Sequence, residues 1–462
     1  MSQPDSPFIG LAEKLRGPLL LPGEQEYDAA RQLWNAMVDK RPAAIVRASG
    51  IADVIDTVNF ARETGHLLSI KGNGHNIAGH ALADGALTLD LSAMKGIHLD
   101  LENALAHVQP GCNWGDVDRE GMAFGLTVPG GIVSTTGVAG LALGGGFGWM
   151  TRKHGLTSDN IVAMDVVSAK GEFLKASREA HADLFWALCG GGGNFGVVTS
   201  FAFHLHPVGP DVMAGLALYP MDRAREVIAL FREITAGSDE ELTAILVLRK
   251  APPAPFLPPE VHGAPVVGIA VCHTGSLEDG AKAVRPIKAL AAPLVDLISP
   301  KPFTAHQTLF DAAQPAGRRY YWKSDYFDAL SDEASEVMIA HAEMLASPHS
   351  AVLFMQLGGA AARLPANYSA AGNRDARFVA NINASWEDPG DDAANIAWAR
   401  AFWEDLHPHA SGGVYVNFLT DDEAARIPSA YGEELHERLA ALKAKHDPDN
   451  LFRVNQNIAP AT

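Results

Sequence analysis

Apolar and polar positions follow helical spacing over residues 27–37 and predict a helix leading into Arg41-Pro42. Residues 43–46 then form a short apolar run of strand type. Ile51, Val54, Ile55, Val58 and Ala61 recur at helix spacing, and residues 67–70 make a second apolar run. This strand–helix–strand unit ends in a glycine-rich turn, KGNGHNIAG, at 71–79. Strands are predicted next over 87–91, 97–100 and 104–109, and a helix over 113–124. Residues 162–168 and 173–176 flank Lys170-Gly171 as the arms of a hairpin. A short helix follows at 181–188, and VVTSFAFHL, β-branched and aromatic, is strand-like.

Past a proline-bounded seam at 207–210 the texture changes. Amphipathic helices over 222–236, 331–345 and 395–406 alternate with strands such as 243–248, 265–272 and 351–357. The proline cluster at 252–259 reads as a surface loop. From Gly412 the pattern gives a strand (GGVYVNFL), a helix over 431–446 and a tail, DPDNLFRVNQNIAP. A chain of 462 residues exceeds one ordinary domain. The division predicted is a first unit at 1–209 with its core at 41–208, a second at 210–411, and a C-terminal segment at 412–462 that returns to the first.

Composition removes several function classes. Hydrophobic residues at 47% against 19% charged ones supply a packed core rather than disorder. The balance of 36 basic and 54 acidic residues leaves −18, a field that repels nucleic acid and anionic membranes. Cys112, Cys189 and Cys272 have no short spacing among them, so neither a metal site nor a disulfide framework is expected. The N-terminal stretch MSQPDSPFIGLAEKL has no basic segment before an apolar one, and no run reaches the ~20 apolar residues that cross a bilayer. The cytoplasm is the expected location.

Three glycine clusters, at 71–79, 129–150 and 190–196, remain to be explained. None follows a strand and opens a helix with the spacing a dinucleotide-binding loop requires. Each alone fits a tight turn. Together they fit an extended cofactor whose phosphates meet converging backbone N–H groups and whose flat ring approaches the main chain.

The blocks KGNGHNIAGHAL, TVPGGIVSTTGVAGLALGGGFGWMTRKHGLTSDNIV and DLFWALCGGGGNFGVVTSF, with GGVYVNF and NLFRVNQNI near the end, resemble the vanillyl-alcohol-oxidase-type flavoproteins. They resemble in particular the berberine-bridge-enzyme-like branch and its bacterial, 6-hydroxy-D-nicotine-oxidase-like members. The resemblance spans nearly the whole chain. It implies an α+β fold, with a two-lobed FAD-binding domain of the PCMH type and a second α+β substrate domain built on a large antiparallel sheet. It also implies FAD bonded covalently through the ring of His75, with Lys71 favouring the anionic flavin. Val133 stands where bicovalent relatives carry cysteine, and Cys112 and Cys189 lie elsewhere, so a single attachment is implied. Gly72, Asn73, Gly74, His75 and Asn76 would contact the pyrophosphate through their backbone. Gly137, Gly140, Gly144 and Gly148 with Val198 would surround the ribityl, pyrophosphate and adenosine parts, and Asn455 and Asn457 would meet the flavin edge. Thr136, three positions after Val133, falls where relatives control access of oxygen.

The substrate half departs from the family at one place. Where alcohol- and sugar-oxidising relatives carry Y-x-N-Y, with a tyrosine base last, this chain has Tyr415-Val416-Asn417-Phe418, and phenylalanine accepts no proton. Tyr415, Tyr321 and Gln356 are the candidates for catalysis, with Tyr320 and Lys323 beside them. Each also fits a side chain packed in the sheet. The expected activity is oxidation of a small amine or alcohol, with hydride passing to the flavin and electrons to molecular oxygen to give peroxide. A flavin-dependent dehydrogenase or an oxidative cyclase of secondary metabolism is the alternative on the same scaffold.

Overall fold

The computed structural model describes residues 7–462; residues 1–6, part of the N-terminal stretch considered above, lie outside them. Helix and strand are mixed as expected, in three main sheets. In the first, Ala44–Arg47 and Leu68–Lys71 flank Leu87–Asp90 in parallel, and Leu19–Leu20 pairs antiparallel on the outside. The connecting helix Ile51–Thr64 buries Val54, Val58 and Ala61, the spacing that predicted it. It stops at Gly65, whose left-handed φ of 75° lets its N–H reach the Ala61 carbonyl.

The second sheet is antiparallel, in the order Ile97–Asp100, Leu105–Val108, Val197–His204, Ile161–Val167, Phe173–Ser177. Its predicted hairpin turns at Gly171, at φ 76°. Helix Trp114–Met122 begins where the Asp116 carboxylate accepts the Asn113 backbone N–H at 3.0 Å.

The third sheet is large and wholly antiparallel, in the order Val295–Asp296, Asp211–Pro220, Pro265–His273, Leu242–Lys250, Ala351–Gln356, Phe378–Trp386, Arg319–Phe327. Alternate residues face opposite ways. Leu246, Leu248, Phe354, Ile382 and Ala384 pack with helices Ala224–Gly237, Asp332–Glu343 and Asp392–Leu406. Ile245, Val247, Leu353, Met355 and Val379 pack on the other side with Phe147, Trp149 and Tyr415 of the glycine-rich region and the C-terminal segment. The buried Arg374–Asp159 pair, at 2.6 Å with side chains 2% and 4% exposed, pins the two halves together.

Three predicted elements differ. Helix 27–37 is confined to Tyr27–Ala30, because tertiary bonds claim the rest: the Trp34 N–H donates to the Gly74 carbonyl, and the Asn35 amide donates to Ile77 and Tyr320. Residues 412–419 form no strand. Gly412 and Gly413 adopt φ of 94° and 76°, and Val416–Phe418 makes a single tight helical turn. Helix 431–446 is broken at Gly432, at φ 79°, into Ile427–Tyr431 and Glu433–His446. No helix among the described residues is long and apolar enough to cross a membrane.

Candidate active site

The glycine turn after Leu68–Lys71 passes through Gly74 at φ 67°, where a Cβ would press on Leu33, and carries His75 into a long cleft. The backbone N–H groups of Gly72 to Asn76 have no acceptor among the described residues. An unpaired run of N–H groups on a glycine turn is what a phosphate requires. Gly137 lies so near that a Cβ there would come within 2.9 Å of the Asn73 side chain, so the two glycine loops meet. Thr136, Gly140, Val133, Val198 and Asn455 complete this wall.

His75 is held by Trp34, stacked on it at 4.4 Å between ring centroids and 17° between planes. Trp34 is in turn stacked on Tyr320 at 3.7 Å. Burial pushes the His75 pKa down to about 4, so the imidazole is neutral at physiological pH. Its Nε2 has no partner, nor has Asn73 Nδ2 or Asn455 Oδ1. Unpaired polar atoms along a glycine-lined cleft fit a long polar cofactor.

Tyr415 lies at the cleft, its hydroxyl oxygen accepting from Gly146 N–H at 3.1 Å and Asn417 Nδ2 at 2.7 Å. Burial raises its pKa well above the usual phenol range. A phenol that accepts twice and stays protonated has its own O–H left to donate. Phe418 lies 4.9 Å from it, edge-on.

Several predicted residues lie elsewhere. Lys71 is buried behind the turn and donates to the Ala30 carbonyl at 2.6 Å, with Asp90 at 3.4 Å, so it does not line the cleft. Tyr321 is on the far face of its strand, bonded to Asp422 at 2.7 Å and Arg400 at 3.0 Å, beside Lys323. Gln356 is likewise turned away, bonding Ala244 N–H and the Thr235 carbonyl. Gly144 is packed against Asn417 and Gly148 against the Gly130 carbonyl, which makes both close-approach glycines of the loop. Asn457 is not part of the cleft wall. Strand alternation explains Tyr321 and Gln356: Trp322 and Met355, one residue away, are the ones that face the cleft.

The sequence reading also missed residues. Phe378–Trp386 carries Asn381 and Asn383 two apart on the cleft face, and Leu242–Lys250 carries Val247 and Arg249. Alternating polar residues inside FVANINASW were the available signal. The three cysteines are buried and none lines the cleft; burial raises the Cys112 pKa to about 11.

Buried histidines should make the fold sensitive to acid. His306, 1% exposed, has no partner on either ring nitrogen, and burial, then Lys301, lowers its pKa to about 3. His154 and His206, stacked at 4.0 Å, are lowered by burial to about 3 and about 4. The unfolded chain protonates these rings near the ordinary value of about 6.5 and the folded one does not. Stability is therefore full above that value and falls as pH drops below it, by about 1.4 kcal/mol per pH unit for a fully buried ring. The urea midpoint should fall from pH 7 to pH 4, and His306→Leu should flatten the dependence. A midpoint independent of pH would contradict this account.

The family model for the FAD binding domain matches residues 42–177, and that for berberine and berberine-like proteins matches residues 414–459. An FAD-linked oxidoreductase of Dictyostelium discoideum is 32% identical over 97% of this chain and 96% of its own. The (R)-6-hydroxynicotine oxidase of Paenarthrobacter nicotinovorans is 28% identical over 96% of this chain and 97% of its own. The crystal structure of 6-hydroxy-D-nicotine oxidase from Arthrobacter nicotinovorans superposes with a TM-score of 0.85 at 26% identity, covering 97% of this chain and 98% of that one. A berberine-bridge-enzyme-like protein of Physcomitrella patens shares the fold, with a TM-score of 0.87 at 22% identity over 99% of this chain and 100% of that one.

Proposed function

This chain belongs to the FAD-linked oxidoreductases of the berberine-bridge-enzyme-like family, and from that premise we propose that it is an oxidase of a small organic substrate, with FAD attached through His75 alone. The observation that carries the reading is the neutral imidazole of His75, stacked on Trp34, with Nε2 unpaired in the cleft. An unprotonated, unbonded ring nitrogen is the nucleophile that attachment needs. Bound FAD supplies the hydride acceptor and then the electron donor to oxygen. Gly72 to Asn76 offer backbone N–H groups for the pyrophosphate, and Asn455 offers Oδ1 on the same wall.

Tyr415 donates its O–H to a heteroatom of the substrate and orients it. It does not remove a proton, because its phenol stays protonated. Phe418 adds no base. A neutral amine releases hydride with its nitrogen lone pair assisting, whereas an alcohol requires its O–H proton to be taken away. The cleft therefore suits amines better than alcohols. With the protein in air, peroxide should be released from small cyclic or secondary amines and not from the corresponding alcohols. Peroxide from alcohols only would reverse the preference, and none from either class would remove the oxidase reading.

A further inference from the structure

The sheet face over the cleft is graded from apolar to charged. In cross-strand register, Ile245, Met355, Val379 and Tyr326 form one row, packed with Phe147 and Tyr415. The next row is Val247, Leu353, Asn381 and Ser324, and the third is Arg249, Ala351, Asn383 and Trp322. The polar end is unsatisfied: Asn381 Nδ2, Asn383 Oδ1, Ser324 Oγ and Trp322 Nε1 are buried without a partner, and both asparagines are only 2% exposed.

Arg249 is the least compensated of these groups. Its Nε donates to the Lys250 carbonyl at 3.1 Å, and its terminal nitrogens have no acceptor among the described residues. Among the described residues no carboxylate pairs with it, although the chain holds 54 acidic residues against 36 basic ones. Its charged neighbour is another cation, Arg318, whose own carboxylate is the exposed Glu387 at 3.6 Å. Burial, and then that like charge, depress the Arg249 pKa from the ordinary arginine value. A partly desolvated guanidinium left unpaired is costly, and an oxyanion held by its planar fork relieves that cost.

We propose that this row is an anion subsite of the substrate cleft, and that the substrate is a small carboxylate. Its apolar body lies on the Met355–Val379 end, and its carboxylate is received by Arg249 with Asn383 and Trp322 Nε1 alongside. The inference rests on the cleft being the substrate site of the oxidase and narrows the substrate to an amine or alcohol that also carries a carboxylate. Asn381 and Asn383 are specificity residues on this account.

The experiment titrates the flavin-loaded protein, by calorimetry, with benzoate, phenylacetate and 3-phenylpropionate, each beside its amide. At least one acid should bind roughly ten-fold or more tightly than its amide. Arg249→Gln should abolish that preference and Arg249→Lys should keep part of it, the lysine variant serving where the glutamine one does not fold. Equal binding of acids and amides, or no binding by any of them, overturns the proposal. So does a preference that survives Arg249→Gln, or a flavin spectrum that changes on that substitution before any ligand is added, which would assign Arg249 to the cofactor. Calorimetry reads the subsite whether or not peroxide is ever released, so failure of the oxidase reading is seen separately.

Discussion

Acid precipitation of the wild-type protein should bring its flavin down with the polypeptide, and His75→Ala should leave that flavin in the supernatant. The substitution removes the imidazole that the turn carries into the cleft, and with it the stacking on Trp34. Gly74 keeps its left-handed φ of 67°, and the N–H groups of Gly72 to Asn76 remain available to a phosphate. The variant should therefore still bind FAD, reversibly. Its thermal stability should become dependent on added FAD, because a dissociable ligand stabilises by mass action and a tethered one does not. Turnover should fall about ten-fold or more, equivalent to ~1.4 kcal/mol in the barrier. The denatured wild-type peptide should carry its flavin on histidine alone, since Val133 lines the cleft and no cysteine does. Free FAD released from the wild type by acid would end the covalent assignment, and a flavin thioether found by mass spectrometry would end the single attachment.

The parts of this site that were legible in the sequence are those in which backbone conformation decides the residue. Gly74 and Gly137 are glycine because one needs a left-handed φ and the other lies against Asn73, so a dense glycine pattern signals the loops before any fold is known. The first sheet and its helix were equally legible, because Val54, Val58 and Ala61 are set by helical period alone. Residues placed by long-range register were not. Whether Tyr321 or Trp322 faces the cleft depends on pairing of Arg319–Phe327 with Phe378–Trp386, which no local pattern specifies. Gln356 was misplaced for the same reason, one residue beyond Met355. Lys71 fell to a different cause: its long side chain follows the strand inward to the Ala30 carbonyl rather than the turn outward. The C-terminal GGVYVNFL has the composition of a strand, yet its two left-handed glycines turn the chain so that Tyr415 meets Gly146.

On the proposed oxidase reading, reaction with oxygen turns on what stands at Thr136. Its backbone is fixed, the N–H donating to the Val133 carbonyl at 3.2 Å and the carbonyl accepting from Trp114 at 3.1 Å. The side chain lines the cleft, and its hydroxyl makes no bond among the described residues. With the backbone pinned, a longer side chain has no direction in which to retreat except into the cleft. Leucine carries two terminal methyl groups one bond further out than any threonine atom, and so fills space that threonine leaves to a diatomic molecule. Thr136→Leu should slow reoxidation of the reduced protein by air about ten-fold or more, or ~1.4 kcal/mol. Reduction of the flavin by substrate in the absence of air should change far less, because the substrate proposed above would lie on the sheet face, at Met355 and Val247. Stopped-flow measurement of the two half-reactions separates the effects. Equal slowing of both would show that leucine distorts the cleft rather than closing a path. A wild-type protein that reoxidises sluggishly in air, with threonine in place, would make it a dehydrogenase using another electron acceptor.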